Sequence, residues 1–174
     1  MSAQDRRQWI EAALAQYECR LLRYARRLVG EERALDVVQE TFLKLCRDDL
    51  PPINGSLGPW LYTVCRNLAF DLLRKESRMP ATLEHEAPAT ATSEPHEQTE
   101  LRDSTQQVLH ELHQLTTNQQ ECLRLKFEGG LTYREIADIT GLSVSNVGFT
   151  IHTAIQKLRQ KLQASGDEGL GSRD

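Results

Sequence analysis

The segment Gly130 to Leu162, GLTYREIADITGLSVSNVGFTIHTAIQKLRQKL, packs two helix starts and a tight turn into one short stretch. Thr132 followed by Glu135 is a capping box, in which each side chain satisfies an amide that the first helical turn leaves without a partner, so a helix starts at Tyr133. Ile136, Ala137 and Ile139 give that helix its apolar side. Gly141 supplies the left-handed backbone conformation that a sharp turn requires, and Leu142 fills the angle between the two helices. Ser143 caps the second helix, where Val144, Val147, Ile151, Ala154, Ile155, Leu158 and Leu162 recur at three- and four-residue spacing and form a buried stripe. The opposite face carries Ser145, Asn146, Phe149, Thr150, His152, Thr153 and Gln156. This is a helix-turn-helix, whose outward face at the start of the second helix is the surface that enters a DNA major groove. Helical hairpins of similar outline also occur away from DNA. Here both caps, the glycine turn and the stripe agree, which favours the DNA-reading form.

A break in composition divides the chain. Residues 79 to 100, MPATLEHEAPATATSEPHEQTE, contain three prolines, five glutamates and no Lys or Arg, with almost no large apolar side chain to bury. Such a segment is expected to be a flexible acidic linker. The expected organisation is all-α: a helical domain over 1–78, the linker over 79–100, and a helix-turn-helix domain over 101–174 with a disordered tail from about 164. The full chain carries 21 Lys and Arg against 25 Asp and Glu, a net charge of −4. Affinity for DNA without regard to sequence comes from neutralising phosphates, so DNA contact by this chain is expected to depend on a partner.

Cys19, Cys46, Cys65 and Cys122 form no CxxC pair and each falls in a helical pattern, so they read as small buried hydrophobes and not as zinc ligands. His110 and His113 lie one turn apart, but two ligands without a third make no metal site. There is no basic-then-apolar leader and no apolar run of bilayer length, so a cytoplasmic location without a membrane anchor is expected. No catalytic constellation and no cofactor motif stand out, and the chain is expected not to be an enzyme.

The N-terminal half reads as three helices. Ile10, Ala13, Leu14, Tyr17, Leu21, Tyr24, Ala25 and Leu28 keep the helical period until Gly30 stops it. In EERALDVVQETFLKLCRD, Ala34, Leu35, Val38, Phe42 and Leu45 are expected inside, which turns Asp36, Gln39, Glu40, Lys44 and Arg47 outward. After a turn-rich stretch from Asp48 to Pro59, a third helix runs WLYTVCRNLAFDLLRKESR. Its core side is expected to be Trp60, Leu61, Val64, Leu68, Leu72 and Leu73, with Arg66, Asn67, Asp71, Arg74, Lys75 and Arg78 collected on another edge. In the C-terminal half, Leu101, Val108, Leu109, Leu112 and Leu115 suggest an amphipathic helix, and Thr117 to Gln120 a further capping box.

Taken together, DVVQETF (Asp36 to Phe42), Pro59-Trp60-Leu61-Tyr62, Arg66-Asn67-Leu68-Ala69, Asp71-Leu72-Leu73-Arg74 and the helix-turn-helix resemble the extracytoplasmic-function (ECF) group of bacterial RNA polymerase sigma factors, in the sigma-70 family. The motifs keep the family's order and span about Tyr17 to Leu162. The resemblance implies a transcription initiation factor that binds the largest and second-largest subunits of core RNA polymerase and directs it to promoter DNA. Residues 1–78 match sigma region 2, and 101–174 match region 4. By the same resemblance, Asp36, Gln39 and Glu40 match the face that docks on the polymerase, where a Gln flanked by acids suits a basic partner helix. Asn54 and Trp60 match the part that captures an unstacked base of the minus-ten element, although an indole at position 60 can equally fill the core. Arg66, Asn67, Arg74, Lys75 and Arg78 would line the phosphates of the opened strand. Arg134, Ser143, Ser145, Asn146, Phe149, Thr150 and Thr153 fall on the face that would read the minus-thirty-five element as duplex.

One departure from the family pattern stands out. Relatives place several Lys or Arg along the second helix of this motif, whereas here those places hold Gly148, Thr150, Thr153 and Ile155, and Phe149 faces outward. Either Phe149 and its polar neighbours contact thymine methyls and base edges with little electrostatic support, or the face binds an additional recruiting protein. In the family, the linker runs through the RNA exit path, so its glutamates can occupy a basic channel or can simply tether two domains. An anti-sigma protein is a further partner that the resemblance allows. The alternatives in other classes are a stand-alone helix-turn-helix regulator and a sigma-like protein recruited to DNA by another factor.

Overall fold

The computed structural model describes residues 2–47, 56–78, 108 and 110–168. Among these the regular structure is entirely helical. The chain divides into two compact units, Met1–Thr92 and Ser93–Asp174. The connector 79–100, together with Asn54, Leu101 and Leu109, lies outside the described residues.

Three helices build the first unit: α1 (Ala3–Val29), α2 (Glu31–Arg47) and α3 (Leu57–Arg78). Helix α1 starts earlier than its apolar stripe because Ser2 and Asp5 form a capping box, and the Ser2 bonds hold the Asp5 carboxyl below its usual range. Gly30 stops it with φ 82°, and the Gly30 amide donates to the Arg26 carbonyl. Leu21, Tyr24, Ala25 and Val29 then meet Val37, Val38, Thr41 and Phe42 of α2 and Leu61, Tyr62, Cys65 and Ala69 of α3 in one core. Inside it the Tyr24 and Tyr62 rings meet edge to face with centroids 5.2 Å apart.

Several sequence expectations need correction here. Leu35 does not pack inward: it is 50% exposed, and Val37 and Thr41 take the buried positions instead. The buried set Ala34, Val37, Val38, Thr41, Phe42 and Leu45 is a strict three- and four-residue stripe, and Leu35 falls beside it. Thr41 is tolerated inside because its hydroxyl donates to the Val37 carbonyl at 2.7 Å. In α3 the deepest residues are Leu61, Tyr62, Cys65 and Ala69, while Trp60, Val64, Leu68, Leu72 and Leu73 are half-buried; the small Cys65 and Ala69 let the backbone come close. Helix α3 also begins at Leu57, so Leu57, Gly58 and Pro59 are helical and not part of the turn; proline is tolerated in a first turn, which has no amide bond to lose. At Gly58 an added Cβ would lie 3.2 Å from the Tyr17 hydroxyl, so α1 and α3 approach closely at this glycine. Of the cysteines, Cys65 and Cys122 are buried but Cys19 and Cys46 are exposed.

The second unit contains α4 (Thr117–Phe127), α5 (Tyr133–Thr140) and α6 (Val144–Glu168), preceded by helical residues 110–113. The capping box of α4 is formed by Thr116 and Gln119, one residue before the expected pair: the Thr116 hydroxyl accepts the Gln119 backbone amide at 3.3 Å and the Gln119 side-chain Oε1 accepts the Thr116 backbone amide at 3.2 Å. Gln120 instead donates to the Leu115 carbonyl and accepts from Arg124. Leu115, Cys122, Leu125, Leu131, Ile136, Ile139, Val147, Ile151 and Ala154 form the core. Val144 does not join it. At 45% exposure it sits in the first turn of α6, before that helix reaches its neighbours. The backbone of α6 is helical to Glu168.

Candidate functional site

The helix-turn-helix is built as its residues dictate. The Thr132 hydroxyl accepts the Glu135 amide at 3.3 Å, and Glu135 accepts the Thr132 amide at 2.7 Å. Gly141 ends α5 with φ 75° and ψ 9°, a left-handed conformation that L side chains rarely adopt, and its amide donates to the Ala137 carbonyl at 2.9 Å. Thr140 closes the corner, donating to the Ile136 carbonyl and accepting the Leu142 amide. Ser143 then accepts the Asn146 amide at 3.2 Å, which caps α6.

This frame leaves Arg134, Ser143, Ser145, Asn146 and Phe149 exposed, and Thr150 and Thr153 half-buried. Phe149 is 71% exposed. The first cation on α6 is Lys157, so the turns that carry Ser145, Asn146 and Phe149 have no Lys or Arg. Sequence reasoning missed two residues of this surface. A Cβ placed on Gly148 would touch the Tyr133 ring at 3.7 and 3.8 Å, and the Lys126 ammonium sits 5.2 Å from the centre of that ring while donating to the Leu131 carbonyl at 3.2 Å. Three elements thus stack at the start of α6. Residues 126, 133 and 148 are too far apart in the chain for any local pattern to reveal this.

In the first unit, α2 presents Asp36 and Gln39 exposed and Glu40 half-buried on one face, and Arg47 lies 3.5 Å from Glu40. Leu35 and Leu43 are exposed on the same helix, so the face is apolar as well as acidic. On α3, Arg66 is half-buried and stacks over the Phe70 ring at 4.5 Å, a pairing of residues one turn apart that the spacing could have suggested. Asn67, Arg74 and Lys75 are exposed, and Arg74 is bound to Asp71. Arg33 of α2 reaches Glu76 of α3 at 2.8 Å and ties the far end of this edge to the bundle. Trp60 is half-buried, Arg78 ends the helix, and Asn54 lies outside the described residues. Among the described residues no group of three or more His, Cys, Asp or Glu is gathered to hold a metal, and no helix is long and apolar enough to cross a membrane.

Two helical units of this kind, one with an acidic exposed helix face and one with a capped helix-turn-helix, make a modular helical protein that carries a nucleic-acid-reading motif. Residues 14–79 match the family model of Sigma-70 region 2, and residues 105–158 match that of Sigma-70 region 4. The chain is 32% identical over 165 residues to RNA polymerase sigma factor YlaC of Bacillus subtilis, covering 91% of this chain and 95% of the relative. It is 31% identical over 144 residues to the ECF RNA polymerase sigma factor EcfG of Rhodopseudomonas palustris, covering 82% and 78%. Among solved structures, CnrH in complex with the cytosolic domain of CnrY is similar with a TM-score of 0.60 and 25% identity, covering 91% of this chain and 90% of that one. The chain belongs to the sigma-70 family, and within it to the ECF sigma factors, which makes it a transcription initiation factor. The stand-alone regulator is not favoured, because the likeness extends over both units and not over the helix-turn-helix alone.

Proposed function

We propose that this sigma factor docks on core RNA polymerase through the α2 face that carries Asp36, Gln39 and Glu40, holds the opened minus-ten strand along α3, and meets the minus-thirty-five duplex with α6. The observation that carries the reading is the pairing of an acidic helix face with a complete helix-turn-helix in a chain matching both sigma regions. The α2 face offers carboxylates and an amide to a basic partner helix, with Leu35 and Leu43 adding apolar area beside them. On α3, Asn67, Arg74, Lys75 and Arg78 contact strand phosphates, Arg66 stacked on Phe70 offers a flat cationic surface, and Asn54 with Trp60 contributes to the pocket for an extruded base. In the second unit, Arg134, Ser143, Ser145, Asn146, Thr150 and Thr153 join Phe149 on the duplex side.

The protein's effect on transcription runs through binding and DNA opening, without catalysis by its own side chains and without a cofactor, and it works in the cytoplasm beside the polymerase. The CnrH complex with the cytosolic domain of CnrY supports a further protein partner for this factor, and an anti-sigma protein fits that place. The domain limits are those of 1–78, 79–100 and 101–174, with the acidic connector spanning between the two polymerase-bound units. The test is reconstitution: full-length protein mixed with core RNA polymerase is captured by affinity pull-down and assayed for transcription from promoters mapped after overexpression. Capture and promoter-specific transcripts are expected, and Glu40→Lys should reduce capture by about tenfold or more, since it reverses one charge of a complementary interface. Capture that is indifferent to Glu40→Lys, Gln39→Ala and Asp36→Lys alike refutes the docking face.

A further inference from the structure

Along α6 the ring of Phe149 has polar side chains on both sides. One helical turn before it lie Ser145 and Asn146, and one turn after it His152 and Thr153; all four can hydrogen-bond. Ser145, Asn146 and His152 are exposed and Thr153 is half-buried, so along α6 the Phe149 ring, at 71% exposure, is flanked by hydrogen-bonding side chains, with the 41%-exposed Tyr133 ring lying against the adjacent Gly148. Protein docking sites concentrate apolar area in a fully buried middle, with aromatic anchors clustered there. The major groove of DNA is different: it presents donors and acceptors at every base pair, and one kind of apolar group, the thymine 5-methyl. A single ring among small hydrogen-bonding side chains, in the first two turns of the second helix of a capped helix-turn-helix, matches that surface.

We propose that Phe149 is a specificity-determining residue that selects thymine in the upstream duplex by packing its ring on the 5-methyl group, with Ser145 and Asn146 reading the neighbouring base edges. The inference rests on the reading of α6 as the duplex-contacting helix and adds to it which base is chosen and by what chemistry. Lys157 is the first cation on α6, so the side chains near Phe149 contribute direct contacts with bases more than a hold on phosphates. Ser143 fixes the first turn through the Asn146 amide, which orients the Asn146 and Phe149 positions together.

The experiment uses holoenzyme reconstituted from the full-length protein and core RNA polymerase, with a promoter pool randomised across the upstream element. Bound duplexes are selected and sequenced for the wild type and for Phe149→Ser, a change at an exposed position whose folding is checked by a circular dichroism melt. Wild type is expected to enrich thymine at one or more positions, and Phe149→Ser to lose that enrichment while keeping preferences elsewhere in the element. In the selected duplex, deoxyuridine in place of thymidine at the enriched position removes only the methyl. That change should weaken wild-type binding about fourfold, the worth of burying one methyl-sized group, and leave Phe149→Ser unchanged. Enrichment without thymine, or equal sensitivity to deoxyuridine in both proteins, overturns the role of Phe149 while leaving α6 as the duplex reader. A pool with no upstream enrichment overturns both, and an additional protein bound on α6 becomes the reading to pursue.

Discussion

Restoring the cations that α6 lacks is the most direct perturbation of its DNA contact. In the double variant Gly148→Lys with Thr150→Arg, two positions beside Phe149 gain charge while the ring itself is untouched. The structure accommodates the first change: a Cβ at Gly148 would lie 3.7 Å from the Tyr133 ring, an ordinary contact, and the backbone there is helical with no positive φ to strain it. Thr150 is half-buried, and a long arginine stem can lie along the helix with its guanidinium in solvent. If each cation neutralises one phosphate, the slope of log affinity against log salt steepens by about 0.9 per contact, or about 1.8 in all. Between about 50 and 200 mM salt, a fourfold range, the gain of the variant over wild type should therefore shrink by about twelvefold. Replacing glycine also stabilises the helix by several tenths of a kcal/mol, up to about 1, and a Gly148→Gln, Thr150→Gln control isolates that effect because it adds length without charge. The assay is fluorescence anisotropy of a labelled upstream duplex titrated with holoenzyme reconstituted from the full-length protein and core RNA polymerase across that salt range. A slope equal to that of wild type and of the glutamine control refutes the reasoning that missing cations, and not misplaced ones, weaken this face.

The turn between α5 and α6 should be intolerant of a Cβ. Gly141→Ala places an L residue at φ 75° and should lower stability by about 1 to 2 kcal/mol, read as a fall of several degrees in the melting of the full-length protein. Thiol labelling at neutral pH should divide the cysteines two and two. Cys19 and Cys46 are exposed and react first, whereas burial pushes the Cys65 thiol up to about 12 and the Cys122 thiol up to about 11, so both stay protonated and react only on unfolding; fast labelling of all four would contradict this core. The same burial gives alkaline conditions a defined sign. Above the ordinary thiol value of 9.0 the unfolded chain releases protons that folded Cys65 and Cys122 keep, so stability contributed by these groups is present below that pH and is lost as pH rises toward about 11 and 12. A Cys65→Ala, Cys122→Ala variant should show a shallower decline of melting temperature between about pH 9 and 11, and an identical decline would count against this linkage.

What could be read from the sequence depended on how local the physics was. The cap at Thr132, the stop at Gly141 and the cap at Ser143 each involve residues within three or four positions, and each appears in the structure where its residues stand. The shift of the α4 cap to Thr116 shows the limit of such reading. In Leu115-Thr116-Thr117-Asn118-Gln119-Gln120 two overlapping pairs have the same spacing, and the choice between them is made by Leu115, which is buried, and by Gln120, whose side chain donates back to the Leu115 carbonyl. Apolar stripes were legible as helices but not to the residue. Hydrophobicity alone points Leu35 inward, yet phase matters more: Thr41, polar but on the stripe and bonded to the Val37 carbonyl, is buried, and the leucine beside the stripe is not. Close approach also inverts the usual expectation of size, since Cys65 and Ala69 lie deeper than Leu68 and Leu72 where α3 meets its neighbours.

Charge behaved differently from hydrophobicity, because a sequence shows which residues carry charge but not which are already engaged. The basic edge of α3 has Arg74 bound to Asp71 and Arg66 lying on Phe70, and Glu40 of the α2 face has Arg47 nearby. These ion pairs are exposed or nearly so and contribute little to stability by themselves. Their consequence is for binding. A partner that takes Glu40 must first exchange it from Arg47, so the affinity of that face should depend on Arg47 with the opposite sign to its dependence on Glu40. Arg47→Ala removes the competitor and a like charge facing a basic partner helix, and should tighten capture of core polymerase severalfold at low salt, the advantage fading as screening grows. Weaker capture by Arg47→Ala would mean that Arg47 orients Glu40 for docking and does not compete for it, a distinction that pull-down at two salt concentrations resolves.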